Sequence, residues 1–233
     1  MSLLRRNLTI GAIAAATAGV TWALASDTVV LYPATITTTI TLSGESLKNF
    51  NAQFSTPSGT VVQKVVTVPA HSASPYSTEL IVDGGDPTDS SNTGIAYRPR
   101  VWAYLDRPGV TSSLTLTKNT PVIVHNTPSS PSASVSTEFN YTTYHASASV
   151  TVTGGTLTML QIRASASDSQ RNEAYQAGTD LTFDTPATTG STWLAMVSNR
   201  NVTAYGTAFL IGPDGVASQR SLANQVVDLS QGP

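Results

Sequence analysis

The chain has 233 residues, a formal net charge of −2 and only 11% charged side chains, a length that suits two domains of about 100 residues each. Cysteine is absent, which excludes disulfide bonds, thiolate metal sites and cysteine nucleophiles. No basic stripe is present, so the chain lacks the electrostatic footprint of a nucleic-acid-binding protein.

The first 25 residues have the pattern of an export signal. Arg5 and Arg6 give a positive start, residues 8–25 are uncharged and rich in Ala, Ile and Val, and the sequence ALA ends at Ala25. This predicts cleavage between Ala25 and Ser26, no membrane span after cleavage, and a secreted, cell-surface or periplasmic protein. A retained anchor is the alternative, because residues 8–25 approach the length that spans a bilayer.

Short stretches of strand character follow, separated by clusters of Ser, Thr, Gly, Pro and Asp. Before residue 126 they cover 28–42 (with a break at Pro33), 51–55, 61–68, 77–82, 100–105, 112–117 and 122–125. After residue 136 they cover 138–144, 147–153, 157–164, 181–183, 193–197, 202–211, 216–218 and 225–229.

This spacing predicts an all-β chain with two tandem antiparallel β-sandwich domains, at 26–125 and 137–233. The Ser- and Pro-rich stretch 126–136 is predicted to be a linker between them. Residues 169–178 depart from strand character, and either one or two helical turns or a loop would fit them.

The two halves share a sequence pattern. Residues 40–55 align without gaps over 150–165, and the identities include Gly44 with Gly154 and Leu47 with Leu157. Further along, 78–83 resembles 179–184, and Trp102 precedes Ala103 much as Trp193 precedes Ala195. These matches favour duplication of one module, whose repeated phrase is strand, glycine turn, strand. The alternative is that two β-domains of similar composition align by chance.

On these features the chain resembles the tandem immunoglobulin-like or transthyretin-like β-sandwich modules of exported bacterial proteins. The resemblance covers the mature chain and consists of pattern alone. It implies the sandwich fold and assigns no functional residue.

Recognised catalytic motifs are absent. His71, His125 and His145 lack the close spacing of zinc ligands, and neither GxSxG nor a phosphate-binding glycine loop occurs. We therefore predict no catalytic residues and no enzymatic activity.

A calcium site is the one cofactor hypothesis that the sequence offers. Asp83, Asp86 and Asp89 recur at every third position of a polar loop, and calcium prefers several oxygen ligands. The alternative is that these are turn residues of a long β–β loop. No other cofactor is expected.

An aromatic group provides a candidate binding surface. Tyr97, Trp102 and Tyr104 lie close in sequence among arginines, and Trp102 and Tyr104 share strand parity. If exposed, they suit stacking against a glycan or another ligand. If buried, Trp102 is the core tryptophan of a sandwich, with Trp193 as its equivalent in the second copy.

Together these features predict a non-enzymatic structural or adhesive module outside the cytoplasm. We expect a self-associating surface, matrix or filament subunit, with itself or cell-surface and matrix components as partners. The strand-rich segment 28–42 suits pairing with a neighbouring subunit's sheet edge. A glycan- or ligand-binding module is the alternative. A hydrolase with a dispersed site ranks last and would require a cleft that gathers His with Asp or Glu.

Overall fold

The computed structural model describes residues 11–14, 21–24, 30–69, 72, 74–197, 201–223 and 225–228, and these form strands and turns. The first nine strands are β1 (Gly11–Ala14), β2 (Thr21–Leu24), β3 (Pro33–Ser43), β4 (Leu47–Ser55), β5 (Val61–Thr67), β6 (Tyr76–Asp83), β7 (Ile95–Leu105), β8 (Val110–Lys118) and β9 (Val122–Val124). The remaining strands are β10 (Ser134–Thr142), β11 (Tyr144–Thr151), β12 (Thr156–Asp168), β13 (Glu173–Ala187), β14 (Thr189–Met196), β15 (Asn201–Ile211), β16 (Ala217–Ser221) and β17 (Gln225–Asp228).

The N-terminal strands β1 and β2 pair with each other as an antiparallel hairpin, with Gly11 opposite Leu24. The predicted cleavage position, Ala25 and Ser26, lies outside the described residues. Within the described part of the chain, no helix is long and apolar enough to cross a membrane.

One large sheet and two small ones organise the rest of the chain. The large sheet has ten strands, in the order β16-β15-β12-β13-β8-β7-β4-β5, with β17 also on β15 and β9 also on β7. The small sheets are β10-β3-β6 and β11-β14. The all-β class with antiparallel sheets is thereby confirmed.

Alternation along the strands builds the core. In β3 every second side chain is buried, including Ile36, Ile40 and Leu42, while the threonines between them are mostly half-buried on the other face. Phe50 and Phe54 occupy the buried positions of β4, the next strand along the chain. The period-two pattern read in the sequence therefore marks the face that packs.

The second half of the chain repeats the pairings of the first. In the first copy (β3–β9), β3 pairs with β6, β4 with β5 and β7, and β7 with β8 and β9. In the second copy (β10–β17), β11 pairs with β14, β12 with β13 and β15, and β15 with β16 and β17, while β10 pairs with β3 of the first copy. Each copy thus passes through its small and large sheets in the same order, which supports duplication.

Local irregularities recur at matching positions. Gly44 (φ 95°) and Gly154 (φ 73°) both turn the chain out of a small sheet, in a conformation that residues with a Cβ rarely adopt. The β-bulge between Leu47 and Asn49 recurs between Leu157 and Met159. Bulges are specific features of a strand pairing, so this agreement strengthens the duplication beyond the sequence identities.

The downstream matches expected from the sequence are wrong in detail. Trp102 lies on β7 of the large sheet, whereas Trp193 lies on β14 of a small sheet, so the two tryptophans are not equivalent. When the two copies are aligned at the bulge that they share, the residue equivalent to Ala103 is Ala208 on β15. Strand β5 has 7 residues and its counterpart β13 has 15, so residues 179–184, which resemble 78–83 of β6, lie on β13 and not on β14, the counterpart of β6.

The helical alternative for residues 169–178 is also wrong. Residues 169–172 are a turn between β12 and β13, and the rest belongs to β13. The Asp168 carboxylate accepts hydrogen bonds from the backbone N–H groups of Gln170 and Arg171, and Asn172 has a φ of 53°. A side chain that bonds to its own turn competes with helix formation.

The predicted linker, 126–136, holds ordered structure. Asn126 is buried; its amide donates to the backbone oxygen of Tyr32, and its Oδ1 accepts from the N–H of Ala133. Residues Thr127 and Ser130 form a β-bridge, and β10 begins at Ser134. A buried amide with these partners fixes the stretch instead of leaving it flexible.

Strands from the two predicted domains pair directly. In the large sheet β8 runs antiparallel to β13, from Val110 opposite Leu181 to Lys118 opposite Glu173. In a small sheet, β10 lies beside β3. The domains expected at 26–125 and 137–233 therefore share sheets through two sets of backbone hydrogen bonds.

The chain forms two compact units, and their boundaries differ from those of the two repeated copies. One compact unit comprises Met1–Thr35, Ile81–Ile95 and Ile123–Ser134, and the other comprises Ile36–Leu80, Ala96–Val122 and Val135–Pro233. The first unit is held by hydrogen bonds of Asn92 and Asn126 to backbone oxygens. The second contains most of the large sheet.

Candidate functional site

The outer face of β7 carries two of the three predicted aromatic residues. Trp102 is half-buried and Tyr104 is 41% exposed, and both lie on the face opposite the core. Tyr97 is 1% exposed and takes part in the core, because it shares parity with the buried residues Val101 and Ala103. The surface therefore contains Trp102 and Tyr104 without Tyr97.

The side chain of Arg100 covers Trp102. Its guanidinium carbon lies 5.3 Å from the indole ring centre, and its Nε donates to the Thr117 hydroxyl on the neighbouring strand β8. Trp102 is thus neither the expected core tryptophan nor a fully bare platform. It is an aromatic surface with a cation beside it.

A shallow polar groove of about 270 Å³ lies beside this aromatic surface, on the same outer face. Its lining comes from β4, β7, β8 and β13 and from the residue after β8: Gln53, Ser55, Arg98, Arg100, Thr117, Asn119, Ala174 and Gln176. Amides, hydroxyls and guanidinium groups supply hydrogen bonds to hydroxylated or acidic ligands. No carboxylate lines it, so this groove offers no acid–base pair.

The three aspartates of the predicted calcium loop accept hydrogen bonds from their own loop and from Tyr32. Asp83 accepts from the N–H groups of Tyr32 and Gly85, and Asp86 accepts from the Tyr32 hydroxyl. The hydroxyl and N–H of Thr88 also donate to Asp86 and hold the pKa of that carboxyl below its usual value. These carboxylates build turns, as the alternative interpretation expects.

Asp89 follows the same rule. The hydroxyl and N–H of Ser91 donate to its Oδ1 and lower its pKa. Among the residues that the structure describes, no group of three or more His, Asp or Glu side chains is placed to hold a metal ion. Calcium binding here stays a prediction, to be checked by melting temperature at millimolar calcium.

A cluster that the sequence did not predict gathers a histidine with an acid. His145 Nε2 lies 2.8 Å from Glu45 Oε1, and the imidazole packs on the Trp193 indole with ring centres 4.0 Å apart. Arg107 also packs on Trp193, and its guanidinium carbon lies 3.2 Å from the ring centre. Arg107 donates to the backbone oxygen of Trp193, and burial lowers its pKa.

The contacts in this cluster are an ion pair and aromatic packing. The imidazole nitrogen that faces Glu45 is taken up by that carboxylate, and no hydroxyl among the described residues is hydrogen-bonded to His145. Trp193 lies on the outer face of β14, so it is not the core tryptophan expected for the second copy. The members come from positions up to about 150 residues apart, and no sequence spacing could have brought them together.

A second unpredicted cluster is buried where β10, β13 and β8 meet. Glu173 is 7% exposed, and its Oε2 accepts from the hydroxyls of Tyr141 and Tyr175 at 2.8 and 2.7 Å. Lys118 Nζ lies 3.7 Å from the other carboxylate oxygen. Burial and the bonds to Glu173 raise the pKa of both tyrosines. The cluster satisfies a buried charge and ties the predicted halves together.

Comparison with known proteins gives remote matches only. No protein-family model and no curated protein matches the chain. Among solved structures, a candidate adhesin from Bacteroides ovatus matches at a TM-score of 0.31 and 10% identity, over 80% of this chain and 81% of that one. A leucine-rich repeat protein from Bacteroides thetaiotaomicron matches at 0.29 and 10%, over 84% and 24% of the two chains.

The major pilin of Streptococcus pyogenes matches at a TM-score of 0.19 and 12% identity, over 84% of this chain and 94% of that one. Matches of this strength assign neither a family nor a function to the chain.

Proposed function

We propose that this protein is a non-enzymatic structural or adhesive subunit that works outside the cytoplasm and associates with copies of itself. One observation carries the proposal: the two copies within the chain are already joined by strand pairing, β8 with β13 and β10 with β3. Strand pairing uses backbone groups, so the same device can join separate chains. The export-signal pattern supports the location.

The direct test is the size of the native protein in solution. Light scattering after size exclusion, over a wide concentration range, should show oligomers that grow with concentration, and negative-stain microscopy should show regular assemblies. Monomers alone at every concentration would contradict the proposal.

A second candidate is binding of a glycan or another ligand on the outer face of β7. It is favoured by the position of Trp102 and Tyr104 beside a groove of amide, hydroxyl and guanidinium side chains. Aromatic rings stack on sugars, and the groove supplies hydrogen bonds to hydroxyl groups.

Glycan-array binding tests this second candidate. Trp102→Ala should abolish binding while the far-ultraviolet circular dichroism spectrum stays unchanged. Tyr205→Ala is the control, since Tyr205 is an exposed aromatic residue on β15 of the same sheet, away from the groove. Equal loss in both variants would oppose a site at Trp102.

A further inference from the structure

The two small sheets differ at one edge. In the first copy β3 is central, with β6 on one side and β10 on the other. In the second copy β11, the counterpart of β3, pairs only with β14 among the described strands. Among the described strands, none therefore takes the place beside β11 that β10 has beside β3.

Burial records the same difference. At the inward positions of β3, Ile40 and Leu42 are 0% and 1% exposed. Their counterparts on β11 and just after it, Val150 and Val152, are only half-buried. The outward residues follow suit: Thr41 is half-buried, and its counterpart Thr151 is exposed. The core of the second small sheet is open where β10 closes the first.

The open edge carries none of the usual protection against strand addition. Natural edge strands are blunted by Lys, Pro or inward charges. Strand β11, with the sequence YHASASVT, has no proline and no Lys, Arg, Asp or Glu. By contrast β5, an edge of the large sheet, carries Lys64, whose Nζ donates to the backbone oxygen of Glu79.

The same repeat identifies a matching strand. In the second copy β10 leads into β11 with one residue between them, and the segment that leads into β3 is residues 28–32, TVVLY. The inward residues of β10, Phe139 and Tyr141, are 0% and 8% exposed. One repeat earlier these positions are Val29 and Leu31, and Leu31 is 64% exposed. An exposed leucine at a position that is buried in the other copy lacks its cover.

We propose that the segment at Val30 and Leu31 (residues 30–32) of one copy adds as a strand to the open edge of β11 in a second copy, which repeats between chains the contact that β10 makes with β3 within the chain. The inference rests on the proposed self-association and names its surface. The contact uses different surfaces on the two chains, so each added copy again presents one segment and one edge, and further copies can add by the same contact.

The register of the added strand follows from β10 and β3. Thr35 N donates to Ala133 O at one end, and Thr143 N donates to Ser43 O at the other. Both bonds fit a single parallel register, which places Thr41 beside Asn140. The two copies are offset by 110 residues, the separation of Gly44 and Gly154. One repeat later Thr41 corresponds to Thr151, and one repeat earlier Asn140 corresponds to Val30. The proposed contact therefore places Thr151 beside Val30 of the neighbouring chain. Both residues are exposed, Val30 at 59%.

Disulfide trapping tests this register, because the natural chain contains no cysteine. Opposed residues of paired strands lie within the Cα separation of a disulfide. The double variant Val30→Cys/Thr151→Cys should give, under mild oxidation, a covalent ladder beyond the dimer that reductant removes. Either single variant can form covalent dimers at most.

Val30→Cys/Ser149→Cys is the matched control, since Ser149 is exposed on the same face of β11 but two positions out of register. It should give a much weaker ladder. Equal ladders from both pairs, or a disulfide closed within one chain, would overturn the inference.

Light scattering on the unmodified chain distinguishes failure of the β11 contact from failure of self-association as a whole. If the chain associates but the Val30/Thr151 pair does not exceed its control, the β11 contact is wrong and self-association stands. If the chain stays monomeric, both fall. Leu31→Lys provides a second measurement: association should weaken about tenfold or more, with the melting temperature of the monomer unchanged. Unchanged association would count against the proposal.

Discussion

The two copies follow the same path through their sheets, yet in the part of the chain that the structure describes their small sheets are buried to different extents. Ile40 on β3 is 0% exposed, whereas the aligned Val150 on β11 is half-buried. The difference comes from a neighbouring strand, since β10 covers β3 and no described strand takes that place on β11. The order of the strands is thus the same within each copy, while the burial of the side chains on β3 and β11 depends on whether another strand pairs with the edge of that strand. Substitutions at matching positions of the two copies test that separation.

Removing the main side chain of the covering strand should cost the most. Phe139 is fully buried on β10, and Phe139→Ala should lower the free energy of unfolding by about 3–5 kcal/mol, through lost burial and the cavity left behind. Urea unfolding followed by circular dichroism measures this.

The control for Phe139 is Leu31→Ala, on the segment with no cover in the monomer. Because Leu31 is 64% exposed, this change should stay within about 0.5 kcal/mol in dilute protein. A large loss at Leu31 would mean that the segment already packs within its own chain.

Truncation at the aligned positions of β3 and β11 compares the two cores directly. Ile40→Ala should cost about 2–5 kcal/mol, because the side chain is completely enclosed. Val150→Ala should cost about 1 kcal/mol or less, because that side chain is only half removed from water. Chemical unfolding of the monomer measures both. Equal losses would show that the second core is closed without a partner strand.

The sequence predicted the local features well, for physical reasons that are visible in particular residues. Alternation in β3 identifies its buried face, and Gly44 and Gly154 mark the turns because both need a positive φ. Parity alone also separates Tyr97 from Trp102 and Tyr104, a point that the grouping of all three aromatic residues overlooked.

The choice of neighbouring strands could not be predicted. Any strand edge offers the same N–H and C=O groups, so nothing local says that β10 joins β3 or that β8 joins β13. The contact of His145 with Glu45 and Trp193 depends on those choices, and so does the burial of Glu173 between two tyrosines. The resemblance of 78–83 on β6 to 179–184 on the long strand β13 also led to the wrong alignment of Trp102 with Trp193.

The cluster around Glu173 predicts how stability changes at alkaline pH. Below a pH of about 10, Tyr141 and Tyr175 are protonated in both the folded and the unfolded chain. Above it the unfolded chain releases these protons first, because the pKa of both tyrosines is raised in the folded state. The free energy of unfolding should therefore fall as pH rises, by about 1.4 kcal/mol per pH unit for each group.

Urea unfolding at a series of pH values between about 8 and 11 measures this dependence. Tyr141→Phe removes one of the two groups and should make the decline shallower above pH ~10. A decline that is equally steep in the variant would show that the link between β10 and β13 through Glu173 does not hold in solution.

The two corner glycines give the smallest and most specific test of the comparison. Gly44→Ala and Gly154→Ala should each cost about 1–2 kcal/mol, because both positions have a positive φ. At Gly44 the added Cβ would lie 2.9 Å from Thr143 Oγ1, which donates to the backbone oxygen of Ser43, while at Gly154 it meets nothing within 4 Å. Gly44→Ala should therefore cost about 1 kcal/mol more, the worth of that hydrogen bond.

A double-mutant cycle with Thr143→Ala isolates the extra cost. Thr143 lies between β10 and β11, where the covering strand of the first copy becomes the open-edged strand of the second. In the Thr143→Ala background the hydroxyl is gone, so Gly44→Ala should cost no more than Gly154→Ala. If Gly44→Ala remains costlier there, the asymmetry between the corners lies in the turn itself. If the costs become equal, it lies in the contact with Thr143, the residue that directly follows the covering strand β10.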